Sequence, residues 1–89
     1  MFRVDWLQSA LDELATIWTG GDSSLRTAVT AATHAVEQRL RANASAEGES
    51  RTGGRRIMFA PPLALTFQVE SDGVTATVLH VRLFRRRGK

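Results

Sequence analysis

The sequence predicts an α+β domain with the element order β-α-α-β-β-β, a helical hairpin packed on one face of a small, mostly antiparallel sheet. Three observations carry that expectation. Apolar residues recur at helical spacing through Leu7–Trp18 and Leu25–Leu40, they alternate at strand spacing through Arg55–Phe84, and glycine or proline pairs mark the changes of period. Helices with one apolar stripe and strands with one apolar face have only each other to bury against.

Each element follows in order. Phe2-Arg3-Val4-Asp5-Trp6 alternates apolar and charged residues, the period of a half-buried strand. Leu7, Leu11, Leu14 and Trp18 then form a helical stripe, widened by Ala10 and Ile17, with Gln8, Asp12, Glu13 and Thr16 on the wet side. Gly20-Gly21 stops that helix, where glycine takes a left-handed C′ conformation cheaply. Asp22 or Ser23 caps a second helix, with Leu25, Val29, Ala32, Val36 and Leu40 inward and Arg26, Thr30, Thr33, Glu37 and Arg41 outward. The short glycine turn makes the pair an antiparallel hairpin. Asn43 to Gly54 is small, polar and without period, and reads as a loop. Arg55 to Ala60 reads as a strand, broken from the next by Pro61-Pro62. Leu63, Leu65, Phe67 and Val69 alternate with Ala64, Thr66, Gln68 and Glu70, and Asp72-Gly73 turns the chain into a last strand from Val74 to Phe84. The predicted core contains Leu11, Leu14, Val29, Val36, Leu65, Phe67 and Val81. The sheet face away from the helices stays open, and function is expected there.

Length and charge narrow the classes. Eighty-nine residues make one domain, 1–89, with 85–89 a basic tail. There is no cysteine, so no disulfide and no thiolate metal site is expected. The N-terminus lacks an apolar signal core, and the longest uncharged run, Ile57 to Val69, is too short to span a bilayer. These features read as a soluble, cytoplasmic protein with no membrane contact. Residues 51–89 carry eight cations against two acids, and residues 1–50 carry four against seven, so the net +3 sums +6 and −3. Eleven of the twelve cations are arginine, whose planar fork suits phosphates and carboxylates, although a GC-rich genome produces the same bias. The partner is therefore negative, either nucleic acid or an acidic protein. No metal-ligand spacing, phosphate-binding glycine loop or nucleophile motif is present, and no cofactor is expected.

The segments FRVDWLQSALDELATIW, RTAVTAATHAVEQRL, GESRTGGRRIMFAPPLALTFQV and DGVTATVLHVRLFRRR span the chain. In order and spacing they resemble the RelE/ParE superfamily of toxins from type II toxin–antitoxin modules. They match its first strand and helix with an Ala-x-x-x-Leu core, its second helix, its arginine-led strand, break and next strand, and its basic-ended last strand. The resemblance implies a toxin that inhibits growth until a cognate acidic antitoxin neutralises it. The RelE-like branch cuts messenger RNA on the ribosome; the ParE-like branch targets DNA gyrase and lacks the ribonuclease site. RelE-like nucleases carry an arginine early in the third strand, where Leu63 and Ala64 stand here. They also tend to end in a Tyr or His beyond the last strand, whereas this chain has no tyrosine and only arginines, Gly88 and Lys89 after Phe84. Gyrase-type inhibition and ribosome-dependent mRNA cleavage are the two modes expected. The alternative is a degenerate, non-catalytic member that only binds an acidic protein partner.

Metal-independent RNA cleavage needs a base, an acid and cations for the developing phosphate charge. In the last strand His80 and Arg82 share a parity with Val78 and Phe84, opposite Leu79, Val81 and Leu83. If the second set faces the helices, His80 and Arg82 point to the open face, joined by Thr66, Gln68 and Arg55 or Arg56. The candidate catalytic set is His80 to move a proton, with Arg56 and Arg82 on phosphate. Arg55, Arg85, Arg86 and Arg87 are the candidate nucleic-acid or partner contacts. Plainer readings stand beside these: a half-buried His80 bonded to a neighbour, a solvated Arg82, a surface His34, and Glu47 and Glu49 as solvated loop acids. Arg85, Arg86 and Arg87 read equally as phosphate grips, antitoxin contacts or a soluble tail. Trp6, Trp18, Phe59 and Phe67 lie in apolar stripes and are assigned to the core, which leaves Phe84 as the candidate for base stacking.

Overall fold

The computed structural model describes residues 1–84. The expectations for Arg85, Arg86 and Arg87 therefore lie outside the described residues. The elements are β1 (Arg3–Trp6), α1 (Gln8–Thr19), α2 (Ser23–Asn43), β2 (Glu49–Ser50), β3 (Arg55–Ala60), β4 (Leu63–Val69) and β5 (Thr75–Leu83). They form the predicted α+β architecture, two helices on a five-stranded sheet of order β1-β5-β4-β3-β2. Only β1 with β5 is parallel; the other three pairings are antiparallel.

The helical hairpin forms by a different turn from the one expected. Gly20 is right-handed (φ −82°, ψ −4°), so no left-handed C′ residue ends α1. Instead Arg26 of α2 donates from Nε to the Trp18 carbonyl (2.9 Å) and from Nη2 to that of Thr19 (3.3 Å). Those are carbonyls a helix end leaves without partners. Its guanidinium also lies 4.6 Å from the Trp18 ring centroid, a cation–π contact. A Cβ at position 21 would sit 2.8 Å from Leu25 Cδ2, so a larger residue there requires the Leu25 side chain to shift. Asp22 caps α2 as expected, its carboxylate accepting the Leu25 N–H at 2.8 Å.

The sheet departs from the expected pattern in two places. The segment read as a plain loop contains β2, a two-residue strand opposite Arg56 and Ile57, flanked by short 3₁₀ turns. And β5 carries a bulge: Phe67 pairs with Val78 but Thr66 with His80, leaving Leu79 as the extra residue. Val78 therefore faces the core together with Val81, instead of sharing His80's side. The β4–β5 turn is as predicted, with Gly73 at φ +75° and Asp72 Oδ1 accepting the N–H groups of Val74 (2.8 Å) and Thr75 (2.9 Å).

The core joins Val29, Ala32, Val36 and Leu40 of α2 to Met58, Leu63, Leu65, Phe67, Ala76, Val78 and Val81 of the sheet, with Leu14 packed against it. Leu11 is a correction: it is 41% exposed, and Leu7 and Trp18 are exposed as well. The helix is rotated so that fully buried Ala10 meets the sheet and Leu14 and Ile17 flank it. A small buried residue lets α1 lie along β5, and Leu7, Leu11 and Trp18 turn outward.

Candidate functional site: the open sheet face

The register places three rows of side chains on the face away from the helices. Phe59, Ala64 and Arg82 form one, Ile57, Thr66 and His80 the next, and Arg55, Gln68 and Thr77 the third. Because β4 contributes only Ala64, Thr66 and Gln68, its strip is a low floor. One wall is Ile57 and Phe59, and the other is His80 and Arg82. Phe84 closes one end, its ring centroid 5.1 Å from that of Phe59 at an interplanar angle of 55°. These two rings are 45% and 43% exposed, so Phe59 is not the core residue expected from its sequence. The parity of β3 shows why: Phe59 shares a side with Arg55 and Ile57, while Met58 and Ala60 are buried. At the other end the Thr77 hydroxyl, and after it the Gln68 amide, hold the Glu70 carboxyl below the usual carboxylate range. That end therefore carries a carboxylate as well as Arg55.

The arginines divide by what they touch. Among the described residues, six of the eight bond protein acceptors: Arg3, Arg26, Arg39, Arg41, Arg51 and Arg56. Arg55 and Arg82 do neither that nor form an ion pair, and both stand on the open face. Arg56, expected beside them, lies opposite Phe67 on the other side of the sheet. Its Nε donates to the Glu47 carbonyl (2.7 Å), Nη1 to Ser50 Oγ (3.0 Å) and Nη2 to the Gly48 carbonyl (3.3 Å). It ties β3 to the β2 loop. Glu47 is likewise engaged, by Arg39 Nη2 at 2.7 Å, while Glu49 stays exposed and bonds Arg51. His34 is on the surface, as expected.

His80 is half-exposed on the open face, but one of its nitrogens is not. Nδ1 is buried without a hydrogen-bond partner and lies 3.7 Å from Glu13 Oε2. The other oxygen of Glu13 accepts the Val81 N–H at 2.8 Å. That amide is free because β1 pairs with β5 only from Thr75 to Val78. Beyond that point α1 runs beside β5, and a helix carboxylate takes the place of a strand carbonyl. Nothing in the sequence announces this role for Glu13, since its partner is a backbone amide 68 residues away. An open cleft of about 400 Å³ runs past Glu13, Thr16, Ile17 and Arg82. No cluster suited to a metal ion occurs among the described residues.

This geometry offers two free cations, an imidazole backed by a carboxylate and an exposed aromatic pair on one shallow face. No family profile and no curated protein sequence matches the chain. Solved structures do. A chain of the chromosomal ParDE toxin–antitoxin system from P. aeruginosa superposes with a TM-score of 0.74 at 22% identity, covering 96% of this chain and 98% of that one. The RelBE2 toxin–antitoxin complex from Mycobacterium tuberculosis gives 0.69 at 13% identity, over 92% and 90%. The isolated E. coli RelE toxin gives 0.58 at 19% identity, over 98% and 88%. The fold is that of the RelE/ParE-like toxins. The resemblance drawn from the four sequence segments holds at the level of the fold.

Proposed function

We propose that the chain is the toxin component of a type II toxin–antitoxin module, neutralised by an acidic antitoxin, and that its open sheet face engages the target. The carrying observation is the division of the arginines: in a toxin-like fold, the two left without protein acceptors among the described residues stand on the open face beside an exposed aromatic pair. Inhibition by binding, of the gyrase-directed kind, is the mode the geometry supports best. Arg56 is engaged in the β2 loop, and Ala64 occupies the floor where RelE-like nucleases carry arginine, so the cations expected around a scissile phosphate are not assembled. One observation favours the second mode, mRNA cleavage: Glu13 stands behind His80, the arrangement of an acid–base histidine.

Induction in a host cell, with and without the product of the adjacent gene, tests the proposal. Growth should stop without the neighbour and resume with it. Supercoiling of plasmid DNA and mapping of message 5′ ends then separate the two modes. Unimpaired growth on induction of the soluble protein would overturn the toxin reading.

A further inference from the structure

We infer that Glu13 is a positioning residue that fixes the tautomer of His80, so that this histidine presents Nε2 to the open face as a hydrogen-bond acceptor. The inference rests on the reading of that face as the target-contacting surface. Its observations are separate from those that carry that reading. Glu13 is anchored by the bond from the Val81 N–H to Oε1, which fixes the plane of its carboxylate. Oε2 is then directed toward Nδ1, the buried and otherwise unpartnered ring nitrogen, at 3.7 Å. A buried polar atom without a partner is costly, and a rotation of the half-exposed ring that brings Nδ1 about 0.5–1 Å closer makes the N–H···O bond. A carboxylate accepts and does not donate. The neutral ring must therefore carry its proton on Nδ1 and its lone pair on Nε2, as a carboxylate behind an imidazole dictates.

The charged and polar groups around His80 agree. Thr66 lies opposite in β4 and Arg82 two residues along in β5. Arg82 supplies donors only. Without Glu13 the free cation and the histidine would both present donors to a ligand. With it, the face offers an acceptor beside a donor, which suits a hydroxyl attached to an anionic group. The same device keeps the Val81 amide bonded where β1 has ended, so one side chain closes the sheet edge and orients the ring.

The test reads the tautomer directly, by two-bond ¹H–¹⁵N correlation of the histidine rings in the full chain at a pH where imidazole is neutral. His34 serves as the internal reference. The wild type should show His80 protonated on Nδ1. Glu13→Gln keeps an oxygen for the Val81 amide but turns an NH₂ toward Nδ1, and should move the proton to Nε2 while the melting temperature stays within about 2 °C. Growth inhibition, read as loss of colony formation on induction, should fall at least about tenfold in Glu13→Gln and by a similar factor in His80→Ala. A wild-type ring protonated on Nε2, or a tautomer unmoved by Glu13→Gln, overturns the inference. If instead the tautomer moves as expected and His80→Ala is fully toxic, the positioning stands and the open-face reading of the target surface falls.

Discussion

Arg55 and Arg56 are consecutive in β3 and serve opposite sides of the sheet. Arg55 lies opposite Gln68 on the open face, and Arg56 lies opposite Phe67, where its guanidinium gathers Glu47, Gly48 and Ser50. Two residues of the same chemistry thus have different tasks because the side-chain period of a strand is two. One ties β3 to the β2 loop, and the other bonds no protein acceptor among the described residues.

That division predicts opposite mutant phenotypes. Arg56→Ala should cost about 1–3 kcal/mol, since charge-assisted bonds to two carbonyls and a hydroxyl are lost. Arg55→Ala should leave stability within about 0.5 kcal/mol and weaken growth inhibition. Thermal melts and induction plating of the two variants check this. Equal losses of stability would show that the two guanidinium groups are not divided as described.

The core makes a second contrast. Phe67→Ala should cost about 3–5 kcal/mol, because the ring is fully buried between α2 and the sheet. Leu11→Ala should cost less than about 1 kcal/mol, because α1 presents Ala10 to the sheet and leaves Leu11 partly in solvent. Urea denaturation of both variants measures the difference. A Leu11 effect as large as that of Phe67 would place α1 in a different rotation.

These cases mark what the sequence makes legible. Alternation in Leu63–Val69 and the long stripe of α2 identify their buried faces, because each has one apolar side and one polar side. The α1 stripe is wider than the helix needs, and choosing its inward edge depends on which residue is buried as α1 lies along β5. That is Ala10, a tertiary fact. The bulge at Leu79 leaves no mark either, since Val78-Leu79-His80-Val81 has no glycine and puts apolar residues on both strand parities. It moves Val78 to the core but leaves His80 and Arg82 on the open face. Their placement was therefore readable from Val81 and Leu83, though not from Val78. Phe59 was readable from its parity with Arg55 and was obscured by the apolar run around it. Glu13 was not readable, because it serves a backbone amide exposed only where β1 stops.

The β4–β5 turn gives a prediction in pH. The Val74 backbone N–H, followed by the Thr75 hydroxyl, holds the Asp72 carboxyl below its ordinary range. A carboxyl depressed in the folded state contributes stability that is fully present above its unfolded pKa of ~3.9 and lost as pH falls through the folded value. The melting temperature should therefore decline on acidification below about pH 4. Asp72→Asn should lower it at neutral pH and flatten that part of the decline. Glu70, depressed by Thr77 and Gln68, leaves a residual slope of the same sign. A variant with the wild-type acid profile would show that the turn does not hold the charge.

The last prediction concerns the aromatic pair. Phe59 and Arg82 flank Ala64 in one row across the open face, and the Phe84 ring leans on that of Phe59. If these side chains meet one target surface, they act as a unit, and their effects do not multiply. Phe59→Ala and Arg82→Ala should each reduce growth inhibition severalfold with stability changes below about 1 kcal/mol, as expected for partly exposed positions. The double variant should lose less than the product of the two single losses. Ala64→Trp should match the double variant without touching either side chain, since a large ring on the floor between them fills the site. Separate effects that multiply, with Ala64→Trp fully active, would mean that the target does not lie across this row. In that event the cation nearest to hand is Arg55, at the other end of the face beside Gln68. The same cycle built on Arg55 and His80 would then locate the contact.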